Sequence, residues 1–255
     1  MIHAGIQARH PPDPGPAREL PAPGPGSEQF MTALATEHFT LQTARASTVS
    51  EAGARSALFM STVSSFVVAL ALVGSVTEIG ATFHLFALAL MPVLFALGML
   101  TYLRLSETAI EDAYYGRAIN RIRHYYVELD PERAGYLAQS DRDDMDGVMV
   151  NSGHPASISA LHLFSHTSTM VLVVTAVIAG VGLGLLLGVV VDAGVEIAAT
   201  VGALVTVALV LGLLMHELRA WQRSERQMPT LFPSVGTEVH PLTRHRVTSV
   251  PPPPP

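Results

Sequence analysis

The sequence predicts an all-α membrane protein, with four transmembrane helices in two hairpins and helical extensions into the cytoplasm. Three observations predict it. Four apolar runs, about 56–77, 85–103, 168–191 and 197–215, contain no charged residue. Each matches the roughly 20 helical residues that cross a hydrocarbon core of about 30 Å. One Arg or Asp at a helix centre costs about 2.5–3.5 kcal/mol on insertion scales, and all four runs avoid that cost. Second, the chain is 49% hydrophobic and 14% charged, whereas a soluble domain carries about 25% charged residues. Third, all 15 basic residues are Arg, and none lies in the short connections 77–84 and 191–196, which carry Glu78, Asp192 and Glu196.

Arginine placement sets the expected orientation. Arg45, Arg55, Arg104, Arg117, Arg121, Arg219, Arg223 and Arg226 flank the other ends of the spans. Cytoplasmic flanks are enriched in Arg and Lys, so both termini and the middle segment, about 104–167, are expected inside a bacterial cytoplasmic membrane. The first apolar run begins near residue 56, so no cleavable signal is expected.

The elements follow in order. Residues 1–27 alternate Pro with Gly and Ala (Pro11, Pro12, Pro14, Pro16, Pro21, Pro23 and Pro25) and read as a disordered tail. Residues 28–227 are the four-span domain. Ser27 suits an N-cap, and 28–56 reads as an amphipathic helix, with Phe30, Leu34, His38, Leu41, Arg45 and Val49 at helical spacing. Glu51 and Arg55 make an i,i+4 pair. The second span holds Pro92, which removes the bond to the Leu88 carbonyl and predicts a static kink. Its helix is expected to run on to about Glu128, with Tyr102 at headgroup level and the later tyrosines against 28–56. Asp130–Pro131 suits the start of a short helix to about Ala138. Ser140–Gly147 reads as a loop. Pro155 opens a helix that leads into the third span. The expected cytoplasmic bundle is 28–56, 104–138 and 155–167. Residues 228–255, ending in Pro251–Pro255, read as a second disordered tail.

Small residues carry the clearest packing signal. Ala176, Gly180, Gly184 and Gly188 recur every four residues in the third span; Gly194, Ala198 and Gly202, with Thr206, do so in the fourth. In lipid such ladders let helix backbones approach. Packing within the 168–215 hairpin is the first expectation and a homo-oligomer seam the second. Ser61 and Ser65, beside Thr62 and Ser64, would line a pore if several copies assembled. Hydroxyls in membrane helices more often bond their own backbone.

Other constellations point to less. Asp141, Asp143, Asp144 and Asp146 with Gly147 depart from the calcium-loop pattern, which places its glycine one residue earlier and adds a Glu. His162 and His166 have the spacing of a shared metal site, without the Glu or Cys that would complete one; they are weak metal candidates and are expected at headgroup level. With no cysteine, Cys-based zinc and nucleophile chemistry is excluded. The net charge of −6 and the lack of a basic stripe argue against nucleic acid as a partner. There is no phosphate-binding loop, no GxSxG and no mid-membrane charge of the kind coupled transporters use. No cofactor and no catalytic residue is therefore expected.

The passage Glu37-His38-Phe39-Thr40-Leu41-Gln42-Thr43-Ala44-Arg45, followed by Ser50-Glu51, Arg55 and an apolar run, resembles a family of bacterial multi-pass membrane proteins of uncharacterised activity. The loop Ser140–Asn151 fits it. This resemblance covers about 28–170 and implies no activity. In layout the chain is similar to the two-span SLATT and Pycsar-type effectors, which join a cytoplasmic helix to a membrane hairpin and are thought to perturb membranes in immune responses. It departs from them in having two hairpins and Pro-rich ends. The expected function is non-enzymatic, a membrane scaffold or regulatory component acting through helix packing and protein contacts. Its expected partners are the lipid bilayer, an unidentified protein and a second copy of itself. The alternative is an oligomeric channel or membrane-perturbing pore.

Overall fold

The computed structural model describes residues 25–77, 79–153 and 167–234. Their regular elements are all helical: α1 (Pro25–Thr77), α2 (Ala81–Leu129), a 3-10 turn (Ala134–Tyr136), α3 (Met145–Asn151), α4 (Thr167–Val190) and α5 (Val195–Gln227). The helices α1, α2, α4 and α5 are long and apolar enough to cross a membrane, which fits an integral multi-pass membrane protein. Short turns join α1 to α2 and α4 to α5. Each turn takes one non-glycine residue into the left-handed region, Ile79 (φ 57°) and Asp192 (φ 54°). Asp tolerates that conformation, whereas a β-branched Ile there is strained.

Of the described residues, Pro25–Glu37 belong to a unit of their own. Within it Thr32 Oγ1 donates to the Glu28 carbonyl (3.0 Å) and Thr36 Oγ1 to that of Thr32 (2.9 Å). The helix starts at Pro25, so Ser27 lies inside its first turn and is not the N-cap. Pro fits this position, because its missing N–H would lack a helical partner anyway.

In the second unit, from His38 on, α4 is the centre. It packs against both α2 and α5. Of its most apolar stretch 33% is buried, against 6% for that of α1. The core joins Phe59 of α1, Leu94, Tyr102 and Leu105 of α2, and Val171, Leu172 and Ile178 of α4. Lipid is as apolar as these side chains, so close packing and interhelical hydrogen bonds hold such a core. Gly98 marks where α1, α2 and α4 meet. A Cβ there would strike Thr175 Oγ1 and come within 3.1 Å of Phe59 Cε2. Tyr102, expected at headgroup level, is instead fully buried. Its hydroxyl donates to the Leu213 carbonyl of α5 (2.8 Å), which lets the whole ring leave solvent. The helix α2 runs unbroken through Pro92, which faces outward.

The two hairpins are built differently. Across α4 and α5 the backbones nearly touch. A Cβ on Gly202 would lie 2.6 Å from the Gly180 carbonyl oxygen, and one on Gly184 would lie 2.9 Å from that of Ala198. A Cβ on Gly180 would strike Thr206 Oγ1 and the Gly202 carbonyl. The Thr206 hydroxyl donates across the seam to the Ala176 carbonyl (3.3 Å) and within its own helix to that of Gly202 (3.0 Å). The helices α1 and α2 meet through side chains instead. Arg45 forks onto Asp112 (3.0 and 3.2 Å), and Arg104 onto Glu51 (2.9 and 3.3 Å). Hydrogen bonds from Arg104 and Arg55 hold the Glu51 carboxyl below the usual carboxylate range.

Three further expectations need correction. Asp130–Pro131 opens only the 3-10 turn Ala134–Tyr136, where the Asp130 carboxylate accepts the Arg133 N–H (3.2 Å). The Ser140–Gly147 loop ends at α3, whose N-cap is Asp144. Met228–Ser234, assigned by composition to the second tail, folds back onto the protein. The rest of that tail, residues 1–24 of the first, and 154–166 with His162 and His166 lie outside the described residues.

Candidate functional site

Beyond the spans, at their arginine-bearing end, buried polar groups concentrate in one place. Arg117, Asn120, Arg121 and His124 recur on α2 at helical spacing and so share one face. That face bonds both the loop 140–147 and residues 228–234, which also bond each other. We call the α2 face and the loop the clasp, and residues 228–234 the strap.

The loop is anchored first. Asn120, almost fully buried, donates to the Arg142 carbonyl (2.6 Å) and accepts from Asn151 Nδ2 (2.8 Å) and Arg123 (3.0 Å). Asn151 in turn accepts the Ser140 N–H (2.6 Å). The Asp144 carboxylate caps α3 by accepting the Gly147 N–H (2.8 Å), the usual role of Asp at a helix start. Gly147 is required there, since a Cβ would meet the Arg142 backbone. The glycine that falls one residue late for a calcium loop therefore serves α3. Gly116 does similar work on α2, where a Cβ would come 2.9 Å from Val148 Cγ1.

Asp143 is the hub and is fully buried. Its carboxylate accepts Arg121 Nε (2.7 Å), the Leu231 N–H (3.0 Å) and the Phe232 N–H (2.7 Å). Its own N–H donates back to the Phe232 carbonyl (3.2 Å), and its carbonyl accepts Arg117 Nε (2.7 Å). Asp144 accepts both the N–H and the hydroxyl of Ser234. Arg117 also donates to Thr230 Oγ1 (2.9 Å), and Arg121 to the Pro229 carbonyl. Burial pulls the Arg117 guanidinium below the usual arginine range, with the Asp143 charge opposing. The Phe232 ring stacks on His124, centroids 3.8 Å apart. His124 is held by Asp141 (2.6 Å) and faces Glu128 (3.5 Å). Charge-assisted bonds of this kind are the stronger class of hydrogen bond.

Trp221, Ser224, Glu225 and Met228 line a shallow cleft with Ala113, Tyr114, Arg117 and Met145. Farther from the strap, His38 stacks on Tyr126 (6.1 Å), joining α1 to α2. Burial and then the Arg123 charge lower the His38 pKa.

The sites expected from sequence divide accordingly. Ala176, Gly180, Gly184, Ala198 and Gly202 lie on the α4–α5 contact. Gly188 and Gly194 do not, since a Cβ on either meets nothing within 4 Å. Ser61 and Ser65 are exposed, and their hydroxyls bond back to the Leu58 and Ser61 carbonyls (3.0 and 2.9 Å). Gly98, Tyr102 and the strap were not anticipated. The signals were faint: a lone glycine and a lone tyrosine four residues apart, and a Leu-Phe pair inside a Pro-rich stretch. No family model, no curated protein and no solved structure matches this chain.

Proposed function

We propose that the protein is a non-enzymatic component of a bacterial cytoplasmic membrane, a scaffold or regulator that works through helix packing and protein contacts. One observation supports it above the others. The buried carboxylates Asp143 and Asp144 are spent on backbone N–H groups of the protein's own chain, an arrangement that recognises polypeptide. A catalytic carboxylate has to face an open pocket where a substrate can sit. In the membrane, the described polar side chains of α1 bond back to their helix, which suits lipid or helix contacts. The Arg-rich ends, by the same rule that reads the sequence, belong in the cytoplasm.

A second reading rests on Ser61, Ser64 and Ser65. All three are exposed along α1, where a single copy would present them to lipid. Several copies could gather them around a channel, in keeping with the effector-like layout. Purified full-length protein in sealed liposomes separates the two. A scaffold passes no more ions than empty vesicles. Conductance that disappears in Ser61→Leu or Ser65→Leu would make the protein a channel.

A further inference from the structure

The clasp reads its strap mainly through the backbone. Leu231, Phe232 and Ser234 offer N–H groups to Asp143 and Asp144, and the Phe232 carbonyl accepts the Asp143 N–H. Side-chain recognition comes from the Phe232 ring on His124 and from the hydroxyls of Thr230 and Ser234. Main-chain bonds to a short non-helical segment, here bent at Leu231 and Phe232, with one aromatic anchor, can capture a peptide. Here the peptide is the chain itself, joined directly to the end of α5. Such a tether gives a high effective concentration, so even a modest site stays filled.

The strap also holds down that end of α5. The helix is pinned in its first third by the glycine seam, then by Tyr102 at Leu213 and by Ser168 at Glu217 (3.0 Å). Past Glu217 the helix lines the cleft around Trp221 and leads into the strap. Arg117, which bonds Thr230, is a wall of that cleft. An emptied clasp would leave Asp143 buried with fewer donors, and unsatisfied buried acceptors are costly. Exchange of one segment for another is therefore easier than simple opening.

We propose that the clasp is a peptide-docking site, self-occupied by residues 229–234. A partner protein enters it with a short segment that bends as the strap does and bears an aromatic residue for the His124 face, and so frees the end of α5. This rests on the reading of the protein as one that acts through protein contacts.

The test uses the full chain in nanodiscs, with Phe232→Ala to weaken the strap while leaving the clasp intact. Trp221 is the only tryptophan, so its emission reports the cleft without a label. The probe is a fluorescent synthetic peptide with the sequence of residues 228–234. Phe232→Ala should red-shift Trp221 emission and bind the peptide at least about tenfold more tightly than the wild-type chain, whose site is already filled. Adding Asp143→Asn should abolish that binding. Because the chain lacks cysteine, spin labels at Leu231→Cys and Val150→Cys give a second readout of the strap. Their distance distribution should be narrow in the otherwise wild-type chain and broad with Phe232→Ala. Broadening without peptide binding would overturn the docking site, and so would an unchanged distance with unshifted emission. Ion flux in liposomes bears on the proposed function alone, so the two failures are distinguishable.

Discussion

The α4–α5 seam and the clasp both bring distant parts of the chain into close contact, by opposite means. At the seam, Gly180 and Gly202 set backbone against backbone, and no larger side chain fits. At the clasp, carboxylates of one segment receive backbone N–H groups of another, and a different peptide could offer the same groups. Lipid favours the first solution because it rewards packing and penalises unpaired polar groups. Outside the membrane, a competing segment can bring the same N–H groups as the departing one, so the second solution is open to exchange. The contrast locates the permanent joint of the protein in the membrane and its adjustable joint beyond it.

Substitutions at the seam should have the largest effect. In Gly180→Leu the Cβ meets backbone, which cannot rotate aside. The cost should exceed the roughly 1–3 kcal/mol of ordinary overpacking, and the hairpin should fail to form. Size-exclusion chromatography in detergent should yield no monodisperse protein. Gly188→Leu, where a Cβ meets nothing, should elute and melt like the wild type. Equal damage from both would mean that the helices stay close farther toward the turn.

At the clasp, Asp143→Ala removes the acceptor for Arg121 and two backbone N–H groups. Breaking a buried charge pair costs about 3–5 kcal/mol. That cost should fall on the clasp and leave the seam folded, so Trp221 emission should shift while helix content by circular dichroism is retained.

Smaller effects sharpen the comparison. Tyr102→Phe keeps the ring and loses the bond to Leu213, so a loss of about 1 kcal/mol is expected as a modest fall in Tm. His38 should make the contact of α1 with α2 pH-dependent. Its folded pKa is lowered, so the neutral form is favoured, and its contribution is whole above the unfolded value. That contribution is lost as pH falls from about 6.5 toward the lowered folded value. The fall in Tm between about pH 7.5 and 5.5 should shrink in His38→Gln.

The membrane part of this fold was legible because hydropathy is a local property: 56–77, 85–103 and 197–215 fall within apolar helices, and 168–191 overruns its helix by one residue. The glycine ladders were legible as spacing, but spacing does not say where two helices diverge. It therefore included Gly188 and Gly194 with Gly180 and Gly184. Gly98 and Tyr102 escaped because each is a single residue whose role depends on partners in other helices, Thr175 and Leu213. The clasp was hidden for the same reason. It joins 117–124, 141–147 and 229–234, and its strap lies where proline-rich composition suggests no structure. One local signal was available: Asp144, three residues before Gly147, is an N-cap in waiting.

Hydrogen exchange on the full-length protein in nanodiscs, resolved by peptide, compares the two joints in a single experiment. A fixed seam and an exchangeable strap predict that amides of 228–234 exchange well before those of 176–184 and 198–206, with the gap abolished by neither detergent nor salt. Equal protection in the two regions would contradict it, because the strap would then be as permanent as the membrane core.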